Sequence, residues 1–196
     1  RATSPNPGIA EGEYGVEQMA REGLAGFEEV TFLETDGTLS TTGLMEEWSR
    51  GAGVVLISDH GGQGSKDDVP QDWLVKLGYG TGEGPVLTQD CTDLLTNGRR
   101  LPLVCVSSCS AGKFDSDDHD GFAESLLFNP DGGACAYVAS ARTSWSASGR
   151  HFTRLLGARL LTSMLHGYRD GLISVGDMFM AGQAELAARI RPERYG

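Results

Sequence analysis

Leu101-Pro102-Leu103-Val104-Cys105-Val106-Ser107-Ser108-Cys109-Ser110-Ala111-Gly112-Lys113-Phe114 begins as an apolar run and ends in a loop of small residues. A short, continuous run of aliphatic and β-branched residues reads as a strand buried on both faces, of the kind found in parallel sheets. Two more such runs stand on either side of it, Val54-Val55-Leu56-Ile57 and Ala134 to Ala139. Helical patterns separate them. Val16, Met19, Ala20 and Leu24 share one face of a helix from Val16 to about Gly26. Leu44-Met45-Glu46-Glu47-Trp48 follows the N-cap candidates Ser40, Thr41 and Thr42 and is stopped by Gly51. Thr88 is placed to cap a helix running to about Thr96. Phe122 to Phe128 is ended by Asn129-Pro130. Two last helices, about 150–166 and 174–190, carry Leu155, Leu156 and Leu160, then Met178 and Ala181, on their apolar faces. Val30-Thr31-Phe32-Leu33 reads as a further strand, and Asp72 to Leu77 as a short helix in an otherwise glycine-rich stretch. Strands alternating with helices predict an α/β protein, a mostly parallel sheet with helices on both faces.

At 196 residues and 20.8 kDa the chain suits one well-packed domain rather than two. Hydrophobic residues at 39% and charged residues at 22% fit a globular protein and argue against disorder. The net charge of −11 and an isoelectric point of about 4.7 repel phosphate backbones, so nucleic acid is not an expected partner. No apolar run reaches the roughly 20 residues that a membrane helix needs, so no membrane partner is expected. No basic start leads into an apolar core, so no secretion signal is visible. The chain opens at Arg1 rather than Met, and the compartment stays open. Cys91, Cys105, Cys109 and Cys135 are too few for a disulfide scaffold and contain no CxxC pair for zinc. The opening residues, rich in Pro and Gly, read as an arm over 1–15, with the folded domain over 16–196.

In a doubly covered parallel sheet, sites form just past the carboxyl ends of the strands. After Ile57 comes Ser58-Asp59-His60-Gly61-Gly62. After Val106 comes Ser107-Ser108-Cys109-Ser110-Ala111-Gly112. A His and a Cys thus hold equivalent positions 49 residues apart. A thiolate is a nucleophile, and a nearby imidazole lowers its pKa or protonates a leaving amine. The N–H groups of Gly61 and Cys109 are placed to form an oxyanion hole. Spacing alone leaves this open against a plainer reading, with Cys109 a small buried hydrophobe and His60 a hydrogen-bonded loop residue. No GxSxG elbow supports a serine hydrolase through Ser58, Ser107 or Ser108.

The segment Leu101 to Phe114 resembles the nucleophile segment of the gingipain-type cysteine peptidases, family C25 of the caspase-like clan CD. His60-Gly61 after an apolar strand resembles that family's catalytic His-Gly. Phe122-Ala123-Glu124-Ser125-Leu126-Leu127, then Gly133-Ala134 through Ala139-Ser140, resembles the helix and strand after its nucleophile. Thr143-Ser144-Trp145-Ser146-Ala147 resembles its Trp-bearing pocket loop. A His about 50 residues upstream of the Cys also matches caspase spacing, although the QACxG signature is absent. The likeness spans roughly Val16 to Ala188.

The resemblance implies a caspase-like three-layer sandwich and a cysteine endopeptidase working through a Cys109–His60 dyad and a thioester. The oxyanion would sit on Gly61 and Cys109. Trp145, Ser58 and Ser107 would line the pocket for the P1 side chain, and Glu11 or Glu13 would pair with a basic P1 residue. Two solvated glutamates in the arm, and Trp145 as an aromatic core plug, are the alternatives. The substrate would be a protein or peptide, with other segments of the same precursor as further partners. The chain would be a fragment of a larger protein, since the flanking domains of gingipains are not in it. Secretion is the compartment the resemblance favours. A partner- or cleavage-activated caspase-like effector, and a non-catalytic caspase-like binding module, are the rival functions.

The chemistry requires no cofactor. Asp115-Ser116-Asp117-Asp118-His119-Asp120 is oxygen-rich, as hard cations prefer. It lacks EF-hand spacing, and a solvated acidic loop before Phe122 is the plainer reading. The resemblance keeps Asp115, Asp117, Asp118 and Asp120 as candidate ligands of a structural calcium. Cys91, Cys105 and Cys135 are expected to be buried and inert.

Overall fold

The computed structural model describes residues 11–33, 40–58, 60–62, 74–76, 87, 89–115, 121–144 and 156–189. The chain enters through α1 (Glu11–Gly23) and α2 (Thr41–Arg50), followed by β1 (Val54–Ser58), β2 (His60–Gly62) and β3 (Leu74–Lys76). A 3-10 turn (Gln89–Leu94) leads to β4 (Leu103–Ser107). Then come α3 (Phe122–Phe128), β5 (Ala136–Ala139), α4 (Leu156–Arg169) and α5 (Val175–Arg189).

The three apolar runs form one parallel sheet in the order β1-β4-β5. Val54 pairs with Leu103 and Ser58 with Ser107, and Leu103 pairs with Ala136 on the other side. The central strand is covered on both edges and both faces, and no residue of β4 is more than 7% exposed. The outer strands β1 and β5 are largely half-buried. Alternation along each strand sends side chains to two cores. On one face Ile57, Val104 and Val106 pack with Met45 and Trp48 of α2, Cys91 and Leu95 near the 3-10 turn, and Phe122 and Leu126 of α3. On the other, Leu103 and Cys105 pack with Met19 of α1, Leu161, Met164 and Leu165 of α4, and Met178 of α5. Helices cover both faces of a parallel sheet, as the alternating pattern predicts.

Local signals account for most element ends. Ser40 Oγ accepts the Gly43 N–H at 3.1 Å, and the Gly51 N–H closes α2 on the Trp48 carbonyl at 2.9 Å. The Glu124 carboxylate accepts the Gly121 N–H at 2.6 Å at the start of α3. α4 and α5 cross at Gly182, where a Cβ would stand 2.7 Å from the Met164 nitrogen.

Five expectations are corrected. α1 begins at Glu11, inside the stretch read as an arm. The acids Glu11 and Glu13 fall in its first turn, where the helix dipole favours negative charge. Val30 to Leu33 is not a strand, and Val30 and Phe32 are about two-fifths exposed, at 39% and 40%. β-propensity without a neighbouring ladder does not make a strand. Leu74 to Lys76 is a strand rather than a helix, because it pairs with His60 to Gly62. The segment after Thr88 is a 3-10 turn, not an α-helix. Cys135 precedes β5 and is exposed, while Cys91 and Cys105 are buried as expected.

Candidate active site

β1 and β4 end side by side at Ser58 and Ser107, which are partners in register. His60 follows Ser58 by two residues, and Cys109 follows Ser107 by two. Neighbouring strands lie about 4.8 Å apart, so the backbone delivers the two residues to the same rim of the sheet. Past the rim the chain turns into β2, where His60 pairs with Lys76 and Gly61 with Val75. The antiparallel pair of β2 and β3 holds the His60-Gly61 backbone just after the end of β1.

Cys109 is half-buried and in no disulfide. Its sulfur faces the chain that leaves β5: Sγ accepts the Ser144 N–H at 3.3 Å and donates to the Ser144 carbonyl at 3.3 Å. Ser110, the next residue, has φ of 53°. A left-handed backbone costs a non-glycine residue about 1 kcal/mol. Three hydrogen bonds hold the turn. The Ser110 N–H donates to the Arg142 carbonyl at 2.9 Å, the Gly112 N–H to Ser140 at 3.0 Å, and the Lys113 N–H to Ser110 at 3.2 Å. Gly112 runs so close to β5 that a Cβ there would stand 3.0 Å from the Ala139 carbonyl oxygen. The Tyr137 hydroxyl donates to the Ala111 carbonyl at 2.9 Å, and burial pushes its pKa up. Farther along, the Arg142 guanidinium grips Asp115 with both nitrogens, at 2.7 and 3.1 Å. That hydrogen-bonded cation holds the Asp115 carboxyl below its ordinary pKa.

Ser58 and Ser107 are each 4% exposed. Ser58 Oγ is buried without a hydrogen-bond partner among the described residues. The first turn of α4 closes over this edge: a Cβ on Gly157 would lie 3.1 Å from Ser107 Oγ and 3.6 Å from Ser144 Oγ. The backbone of Glu11 and Glu13 opens α1. Trp145, and the candidate calcium ligands Asp117, Asp118 and Asp120, lie outside the described residues, as do His119, His151 and most of the glycine-rich stretch between Gly62 and Gly84. Both oxygens of Asp115, the one calcium candidate within the described residues, accept from Arg142. No group of three or more His, Cys, Asp or Glu among the described residues is arranged to hold a metal ion. Cys105 is inert in the core, where burial pushes its thiol up to about 12.

Sequence reasoning missed the Ser144 contact with the sulfur, the left-handed Ser110, and the Asp115–Arg142 pair. One signal for the last was in view: Arg142 is the single charged residue between Asp131 and Arg150.

A parallel α/β sandwich with a Cys loop and a His-Gly segment at one rim defines a caspase-like fold. Two solved structures share it. The complex of the pro- and mature domains of Porphyromonas gingivalis RgpB superposes with a TM-score of 0.66 at 16% identity, covering 89% of this chain and 38% of that one. The Arg-specific cysteine proteinase gingipain R gives 0.67 at 17% identity, covering 96% and 40%. Identities this low establish the fold, and the chain spans about two-fifths of those proteins. No curated protein sequence matches it. The sequence profile described as Peptidase family C25 matches residues 14–195, and the chain belongs to that family.

Proposed function

We propose that the chain carries the catalytic apparatus of a cysteine endopeptidase, with Cys109 as nucleophile and His60 as its acid–base partner. One observation carries the reading: two residues past the register-paired Ser58 and Ser107, the chain presents a His and a half-buried Cys in no disulfide at one rim. Family membership supports it. The Cys109 thiolate attacks the scissile carbonyl carbon, and the N–H groups of Gly61 and Cys109 take the oxyanion. Collapse of the tetrahedral adduct breaks the C–N bond, and His60 protonates the departing amine. Water then adds to the thioester carbonyl and releases the acid and the free thiol.

A basic P1 residue is the proposed specificity. Glu11 or Glu13 supplies the charge, Trp145 packs on the aliphatic stem, and Ser58 and Ser107 form the floor. The arginine specificity of gingipain R favours the same choice. Another segment of the same precursor is a proposed partner, as one structural neighbour is a complex of pro- and mature domains. Activation by a partner or by cleavage is a second reading. It is favoured by Ser144, whose N–H and carbonyl both engage the Cys109 sulfur and so cover it.

The test is a P1 scan on fluorogenic peptides with wild type and Cys109→Ala. Wild type should cleave after Arg or Lys, and Cys109→Ala should lose activity at least 1,000-fold, on the order seen when a catalytic nucleophile is removed, with an unchanged thermal midpoint. A Cys109→Ala variant that still cleaves would displace the nucleophile. A preference for P1 Asp, or indifference to charge reversal at both Glu11 and Glu13, would displace the specificity. A wild type inert before and after partner addition or limited proteolysis would leave the non-catalytic binding module.

A further inference from the structure

We propose that Asp115 and Arg142 form a clamp that positions the Cys109 sulfur. The inference rests on Cys109 being the nucleophile and adds two positioning residues to it, neither of which touches substrate.

Two loops meet at the rim, one leaving β4 and one leaving β5. They are joined like a zip. Ser144 holds the sulfur at one end through its N–H and its carbonyl. Arg142 and Ser140 take the N–H groups of Ser110 and Gly112 in the middle. At the far end the guanidinium of Arg142 closes on Asp115 and also donates to the Ala141 carbonyl at 2.9 Å. Arg142 therefore acts twice. Its carbonyl holds Ser110, and its side chain ties its own loop to the loop that carries Ser110.

Ser110 makes this geometry matter. It sits in a left-handed conformation that serine adopts at a cost, directly after the nucleophile. Released from the Arg142 carbonyl, it relaxes to an ordinary backbone and turns Cys109 with it. An isolated exposed ion pair contributes little, and Arg142 and Asp115 are 65% and 45% exposed. This pair is bidentate, which fixes orientation as well as distance, and it spans the two loops that hold a strained turn. Its effect falls on the placement of one sulfur rather than on global stability. A displacement of the order of 1 Å at a reacting atom costs up to 100-fold in rate.

The experiment compares wild type with Asp115→Asn, Arg142→Gln, the double variant, and the swap Asp115→Arg/Arg142→Asp. Readouts are kcat and KM on a P1-Arg peptide, the thermal midpoint, and iodoacetamide labelling of each cysteine by mass spectrometry. Each single variant should lower kcat about tenfold with KM and the thermal midpoint nearly unchanged. Iodoacetamide should label Cys109 faster, because Ser144 no longer covers the sulfur, while Cys105 stays unlabelled. The double variant should be no worse than either single one, and the swap should recover part of kcat. Unchanged kcat and labelling would overturn the clamp. So would losses that multiply in the double variant, or Cys105 labelled alongside Cys109, which would mean general loosening. If wild type cleaves no peptide before or after partner addition or limited proteolysis, the peptidase reading fails, and Cys109 labelling across the same variants still decides the clamp.

Discussion

Ser58 is where the rim departs from ordinary packing. Its hydroxyl is buried at the end of β1 without a hydrogen-bond partner among the described residues, in register with Ser107 at the end of β4. A polar group taken out of water and left unpaired costs about 1–3 kcal/mol. Removing it by Ser58→Ala should therefore raise stability by up to about 1 kcal/mol, against the usual direction for a core substitution. Urea unfolding reads this directly, and a loss of more than 1 kcal/mol would show that the hydroxyl is satisfied. If Ser58 also lines the P1 pocket, the same variant raises KM for a P1-Arg peptide and leaves kcat unchanged, since the contact is made equally in ground and transition states. Stability and affinity would then move in opposite directions at one atom. The four cysteines show the same dependence on place. Cys105 is locked in the core with its thiol pushed up to about 12, whereas Cys109, four residues on, stands half-buried at the rim.

Helix pairing decides how firmly the rim is held, because α4 begins at the site edge and α5 braces α4. The crossing depends on Gly182, where an added Cβ would meet the Met164 nitrogen at 2.7 Å and Cα at 2.9 Å. Backbone atoms inside a helix do not give way. Gly182→Ala should destabilise by about 1–3 kcal/mol, although alanine is the better helix former by about 1 kcal/mol. Thermal denaturation showing a stabilised variant would mean that the helices slide apart freely. Those helices, and the strands they cover, were legible in the sequence. Their signals are local: Val54 to Ile57 and Leu103 to Val106 are apolar runs, Ser40 and Gly51 bracket α2, and Phe122 to Phe128 ends before Asn129-Pro130. What failed was non-local. Leu74 to Lys76 became a strand only because His60 to Gly62 lies beside it, and Val30 to Leu33 has no such neighbour among the described residues. The strand ends two residues before His60 and Cys109 were readable, because the apolar runs that stop there are local signals. The turn at Ser110 and the Asp115–Arg142 pair depend on two loops meeting from positions 27 residues apart, which no window along the sequence contains.

Across the whole molecule the acidic balance sets how stability answers to pH. With a net charge of −11 at neutral pH, most carboxylates stand in a repelling field. Glu185 on α5 is an exception. Burial pushes its pKa up, but a hydrogen bond from His166 on α4 and the charge of Arg189 outweigh that, and the net effect holds it below the ordinary value. His166 Nδ1 stands 3.3 Å from one carboxylate oxygen and Arg189 2.5 Å from the other. The group thus binds its proton less readily folded than unfolded. It stabilises the fold above its unfolded pKa, and that contribution fades as pH falls through its lower, folded pKa. Wild type should exceed Glu185→Gln in stability by about 1 kcal/mol at pH 7. The gap should begin to narrow as pH falls past the ordinary carboxylate pKa and close below the lower folded one, with the variant less sensitive to acid over that span. Urea unfolding from pH 7 to pH 3 measures both chains on one scale. A gap that stays constant throughout would show that the α4–α5 contact is held by packing at Met164 and Gly182, and that the Glu185 charge adds nothing to it.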